Sequence, residues 1–166
     1  MLKIKTQFIL FVFICLFTLD NFATAEPILR GPISLEVPII KLVSMKSRVA
    51  VGYVSISNNG EYKDTLLKAK VEFASTAEIH KMTMDNGIMR MRKITGGVIV
   101  QPGKSVSLEK GGLHLMFMGL KHKLIPGVEF PVDLHFENQG WVQIGFLVEQ
   151  LHKMDGQRHL HNSSSQ

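Results

Sequence analysis

The chain has 166 residues, 45% of them hydrophobic and 20% charged, with a formal net charge of +5. That length favours a single domain, and a charged fraction near the globular average excludes a wholly disordered chain. Six prolines and fourteen glycines are too few for a collagenous or low-complexity sequence.

At the start of the chain, Lys3 and Lys5 precede an unbroken apolar run of ten residues, Phe8 to Phe17, too short to span a bilayer. Ala23-Thr24-Ala25 then offers a small-x-small cleavage site. Residues 1–25 therefore read as a signal peptide cleaved after Ala25, with an uncleaved N-terminal anchor as the alternative. Cys15, the single cysteine, lies inside the apolar run without the small residues that precede a lipidated cysteine. Without residues 1–25 the chain has 17 basic and 13 acidic side chains and no cysteine. It has no disulfide to form, and any metal chemistry must rest on His, Met, carboxylate or backbone. No later apolar run approaches twenty residues, so the exported chain is expected to be soluble, without stable membrane insertion.

Residues 26–150 read as short strands. Turn signals recur at strand-length intervals: Gly31-Pro32, Asn58-Asn59-Gly60, Asn86-Gly87, Gly96-Gly97, Pro102-Gly103, Gly111-Gly112, Pro126-Gly127 and Asn138-Gln139-Gly140. Between them, Leu67, Ala69, Val71 and Phe73 alternate with charged residues. Phe130, Val132, Leu134 and Phe136 alternate in the same way, and Val142, Ile144, Phe146 and Val148 form another apolar face. Period 2 outcompetes period 3.6 throughout. About nine strands in one domain predict an all-β, antiparallel β-sandwich or Greek-key barrel. From Leu151 the alternation stops, and residues 151–166 (LHKMDGQRHLHNSSSQ) read as a mobile tail.

The methionines are clustered. Six lie between residues 82 and 118, in the repeated spacings His80-x-Met82-x-Met84 and His114-x-Met116-x-Met118, with Met89-x-Met91 between them. Residues two apart share one face of a strand, so each triplet presents an imidazole and two thioethers on one side. A two-residue turn at Asn86-Gly87 would pair Met84 with Met89 and Met82 with Met91, gathering the cluster on one surface. Core packing is the ordinary explanation of methionines in a strand. Against it stand two matched histidines, whose desolvation needs a reason. Thioether with neutral imidazole is a soft donor set suited to Cu(I), whereas hard cations want oxygen and structural zinc wants thiolate or more imidazole. A blue-copper electron carrier is excluded, because its copper needs a thiolate.

The stretch EIHKMTMDNGIMRMR followed by GGLHLMFMGLK resembles the PCu(A)C-type periplasmic copper chaperones. Their pattern is a His, ten residues, a Met, about twenty-one residues, then His-x-Met. Here ten residues separate His80 from Met91, twenty-two separate Met91 from His114, and His114-Leu115-Met116 completes the pattern. Asn59-Gly60 and Asp64-x-Leu66 extend the resemblance over roughly residues 33–148. It implies a cupredoxin-like barrel in the periplasm that binds one Cu(I) through His80, Met91, His114 and Met116. It also implies delivery to the CuA centre in subunit II of cytochrome c oxidase, beside Sco-type thiol partners. Met82, Met84, Met89 and Met118 are then a hydrophobic, polarizable surround. A copper buffer without a delivery partner is the main alternative, and a metal-free interaction module a more distant one. His152, Met154, His159 and His161 resemble the tails some members carry and offer a Cu(II) site, against a plain disordered tail. His122 and His135 are expected to be solvated. Isolated lysines without an aromatic platform give no support for nucleic-acid binding, and no nucleophile–base or carboxylate pair points to an enzyme.

Overall fold

The computed structural model describes residues 28–42, 44 and 46–149; the expected signal peptide and tail lie outside them. Eleven strands run in chain order: β1 (Ile28–Arg30), β2 (Ile33–Leu42), β3 (Val49–Asn58), β4 (Asp64–Lys70), β5 (Ala74–Asp85), β6 (Ile88–Lys93), β7 (Val98–Val100), β8 (Lys104–Leu108), β9 (Leu113–Leu120), β10 (Glu129–Phe136) and β11 (Gly140–Val148). All eight turn signals fall at or between strand ends. The two strands beyond the expected nine include β1 and β7, three residues each and too short to show a period.

The strands form one sheet in the order β6-β5-β9-β8-β3-β2-β11-β10-β4-β7, with β1 on β2. Pairing is antiparallel except between β11 and β2 and at the short β8–β9 contact. Neighbours such as β5 and β9, or β4 and β10, are far apart in sequence, so connections cross from one side of the molecule to the other. The far end of the sheet curls back on its middle. Asn58 Nδ2 of β3 donates to the Val100 carbonyl of β7 at 3.0 Å, and Gly103 N donates to the Asn58 carbonyl at 2.8 Å.

Inside the roll, Phe117, Phe136 and Phe146 are fully buried. Phe73 meets Phe117 and Phe130 edge-on at centroid distances of 5.1 and 5.6 Å. Each large side chain removed from water contributes about 1.5–3 kcal/mol. The alternating faces expected for β10 and β11 point inward as predicted, with Phe130 only partly buried. The one expected for Leu67 does not: Leu66 is buried and Leu67 is 38% exposed. Lys68 pairs with His135 but Leu66 with Phe136, so Leu67 is the extra residue of a bulge and turns outward. On β3, Gly52 lies opposite Leu115, and a Cβ there would sit 2.8 Å from the Phe117 ring. The bare glycine lets Phe117 fill the core behind β9.

One irregularity positions the site. Val49–Gly52 of β3 pair with β9, whereas Val54–Asn58 pair with β8, so the sheet forks at Tyr53. The β8–β9 turn is closed by Glu109 N to the Leu113 carbonyl at 2.6 Å and Gly112 N to the Glu109 carbonyl at 3.1 Å.

Candidate metal site

The β5–β6 hairpin forms as its turn chemistry requires. Asn86 and Gly87 have φ of +48° and +77°, the two positive values of a type I′ turn. The register is the expected one, Met84 opposite Met89 and Met82 opposite Met91, with His80 opposite Lys93. On the other side of β5, His80 lies directly opposite His114 of β9, and Glu78 opposite Met116. Directly opposed residues of an antiparallel pair share a face. One outer face therefore carries both imidazoles and the thioethers of Met82, Met84, Met89, Met91, Met116 and Met118. The alternate residues of β9, Leu115 and Phe117, point into the core.

The imidazole ring centroids are 5.9 Å apart. His114 is only 3% exposed, so it is buried rather than part of an open surface cluster. Its Nδ1 lies 3.1 Å from the Gly112 carbonyl, which can only accept, so that nitrogen carries the hydrogen and Nε2 the lone pair in the neutral ring. His80 is oriented by a carboxylate: Nε2 lies 2.9 Å from Glu78 Oε2, and Lys93 Nζ donates to Glu78 Oε1 at 2.7 Å. In each ring the remaining nitrogen, His80 Nδ1 and His114 Nε2, is buried without a hydrogen-bond partner. An unpartnered buried polar atom is unfavourable, and two on facing rings call for a ligand.

His114 also lines a cleft of 290 Å³ at the fork of the sheet, together with Met82, Met89, Met91, Val51, Tyr53 and the Lys110-Gly111 turn. Of the four expected ligands, the structure opposes His80 and His114 and joins Met91 to His114 through this cleft. Met116 stands one step along the same face, between Glu78 and Val51 in the cross-strand register. Of the expected hydrophobic surround, Met82 and Met89 line the cleft, Met89 while 60% exposed, whereas Met84 is 66% exposed and outside that lining. The reason is that the hairpin extends past the barrel, leaving every residue of β6 exposed.

Glu78 and Lys93 escaped the sequence reading. The available signal was Glu78 two residues before His80, hence on its face. Lys93 first, and His80 second, hold the Glu78 carboxyl below its ordinary range. A carboxylate so depressed stabilises the fold above the unfolded value of 4.5, and that contribution is lost as pH falls through the folded value. Glu78→Gln should leave the fold intact at neutral pH and weaken a metal on His80 by about 10–100-fold, the usual effect of losing a ligand-orienting partner. Its stability deficit should shrink below pH 4.5, measured by thermal unfolding across pH.

The other histidines divide. His122 is exposed as expected, its Nδ1 3.3 Å from the Lys123 carbonyl. His135 is only partly solvated: it is half-buried between its cross-strand neighbours Lys68 and Trp141, its ring centroid lies 4.6 Å from that of Trp141, and its Nδ1 is buried. His152, Met154, His159 and His161 lie outside the described residues. Among the described residues, no three His, Cys, Asp or Glu side chains converge on a possible metal position. The side-chain donors that line the cleft beside His114 include three thioethers, which suit a soft ion. Among the described residues there is also no helix long and apolar enough to cross a membrane.

Comparisons with known proteins bear on the family and the fold. The family model described as "Putative lipoprotein LpqE-like" matches residues 33–148. The "Putative lipoprotein Lxx21020" of Leifsonia xyli subsp. xyli is 28% identical over 92 residues, 55% of this chain and 55% of that protein. The match thus spans about half the length of the curated relative. Among solved structures, the apo PCuAC domain from PmoF1 is 25% identical with a TM-score of 0.63, covering 75% of this chain and 98% of that domain. The copper-bound PCuAC domain from PmoF2 is 20% identical with a TM-score of 0.64, covering 75% and 97%. The resemblance to PCu(A)C-type proteins and the all-β, cupredoxin-like Greek-key barrel are therefore borne out.

Proposed function

We propose, from the premise that the chain belongs to the LpqE-like family of putative lipoproteins, that it is an exported carrier of one Cu(I), held by His80, Met91, His114 and Met116 and passed on by ligand exchange. The observation that carries this reading is the pair of buried, unpartnered nitrogens, His80 Nδ1 and His114 Nε2, beside a cleft lined by thioethers. Neutral imidazole and thioether together satisfy a soft monovalent ion without adding charge to the site. Glu78 and the Gly112 carbonyl fix the ring orientations before metal arrives, so little ordering is left for binding.

The cargo goes to the CuA centre in subunit II of cytochrome c oxidase, alongside a Sco-type thiol protein, in the periplasm after cleavage behind Ala25. Delivery is favoured over a purely buffering role by the placement of Met91, which is 43% exposed and open to an incoming ligand. Residues 151–166, with His152, Met154, His159 and His161, supply a separate, weaker Cu(II) site, since imidazole suits the more oxidised ion.

Purified protein should bind one Cu(I), show sulfur as well as nitrogen scattering in its X-ray absorption spectrum, and load an apo CuA domain. Absence of sulfur scattering overturns the site, and binding without transfer leaves the buffer. Truncation after Gln150 should keep Cu(I) and lose most Cu(II) uptake; lost Cu(I) binding would move the primary site into the tail.

A further inference from the structure

The hairpin carries three methionines that the ligand set does not use, Met82, Met84 and Met89, and the outer two are the exposed ones. Met84 on β5 and Met89 on β6 are opposite one another, 66% and 60% exposed, on the same face as the imidazoles. They fill no core. Nor is methionine the residue that strand geometry favours at an exposed position, where β-branched or polar side chains serve better. Yet they are not isolated from the site: Met89 lines the same cleft as Met91 and His114.

The face therefore holds three successive cross-strand pairs. His80 with His114 comes first, His114 buried and His80 half-buried, Met82 with Met91 lies next, and Met84 with Met89 stands nearest the Asn86-Gly87 turn. Successive pairs on one face are separated by two residues, about 7 Å along the strand. Cβ atoms within a pair are about 4.5–5.5 Å apart. Methionine has three rotatable bonds beyond its backbone, so its sulfur can sweep much of that interval. Thioethers on adjacent pairs can then hold one ion in turn.

We propose that Met84 and Met89 form an outer, two-thioether transit site through which Cu(I) enters and leaves the inner His80–His114 pair. This rests on the copper reading above and adds the route. The step is a ligand substitution with no change of oxidation state. Copper–sulfur bonds to Met89 and Met84 form as the bonds to Met116, the two imidazoles and Met91 break in turn, and an acceptor thioether or imidazole then replaces the outer sulfurs. Two neutral thioethers in water bind Cu(I) less tightly than a set that includes the oriented imidazoles, so the outer pair speeds exchange without setting the resting affinity. A partner then meets sulfur before it meets the closed part of the site.

The test uses the full chain loaded with Cu(I) and mixed with excess bicinchoninate, a bidentate Cu(I) chelator, with release followed by stopped flow. The double variant Met84→Leu/Met89→Leu keeps volume and apolarity. Its equilibrium Cu(I) affinity should stay within about twofold of wild type while release slows by about tenfold or more, a change in barrier and not in ground state. Met118→Leu, on the same face but at the opposite end of β9, should release copper at the wild-type rate. Equal rates for the double variant and wild type overturn the transit site, as does an equal slowing by Met118→Leu. A fall in affinity matching the change in rate overturns it differently, by making Met84 and Met89 resident ligands. Wild-type protein that takes up no Cu(I) overturns the copper reading itself, an outcome distinct from all of these.

Discussion

Met91→Leu should lower Cu(I) affinity by more than about a hundredfold while leaving thermal unfolding of the metal-free protein unchanged. Loss of a group that only orients a ligand weakens metal binding by about 10–100-fold, and loss of a donor atom should exceed that. Leucine nearly conserves the volume, and Met91 is 43% exposed, so the fold has little to lose. His114→Ala should produce a similar loss of affinity but cannot be so clean. Its ring is 3% exposed and opposite His80, so removal leaves a void and lowers stability as well. Met118→Leu is the control: Met118 faces Thr76 and Val49, two positions beyond Met116. Competition with a Cu(I) chelator reads all three. Equal losses for Met118→Leu and Met91→Leu would dissolve the distinction between ligand and neighbour.

Phe117→Ala should destabilise the protein by about 3–5 kcal/mol, the range for deleting a large aromatic from a packed core. Phe117 has no exposure, meets Phe73 at 5.1 Å and lies against the bare backbone of Gly52. That glycine has no side chain to move into the void, so little relaxation is available. The damage should reach the metal face. Phe117 alternates on β9 with Met116 and Met118, so a strand that shifts to fill the hole carries those sulfurs with it. Denaturant unfolding measures the first effect and Cu(I) titration the second. A loss below about 1 kcal/mol would mean that β9 is not anchored through this ring.

What could be read from the sequence follows the range of the interactions involved. The β5–β6 hairpin was legible to the residue, because an Asn-Gly turn fixes both positive dihedrals and the register that follows. The inward faces of β10 and β11 were legible because alternation is a local property. The pairing of His80 with His114 is different. It depends on β9 lying beside β5, a long-range choice that periodicity cannot express, and only the resemblance pointed to it. The bulge at Leu67 was invisible for the same reason, since it exists only relative to β10. Burial of His114 and cover over His135 also come from neighbouring strands. Glu78 was within reach, because it shares a face with His80, but its role depends on Lys93 arriving from the next strand.

The β6 strand lies at the end of the sheet, exposed at each of its six positions, with one row of backbone groups unpaired. Such an edge is a template on which another chain can add as a further strand. This one contains Arg90, Arg92 and Lys93 among its apolar residues, and Lys81 lies across the hairpin from Arg92. Arg90 and Lys93 have carboxylate partners on the hairpin, Asp85 at 3.2 Å and Glu78 at 2.7 Å, and among the described residues Arg92 and Lys81 have none. A second copy approaching in edge-to-edge register would bring like charges together and desolvate them. Basic side chains of this kind disfavour strand addition by a second copy along the edge, where an uncharged edge would invite it.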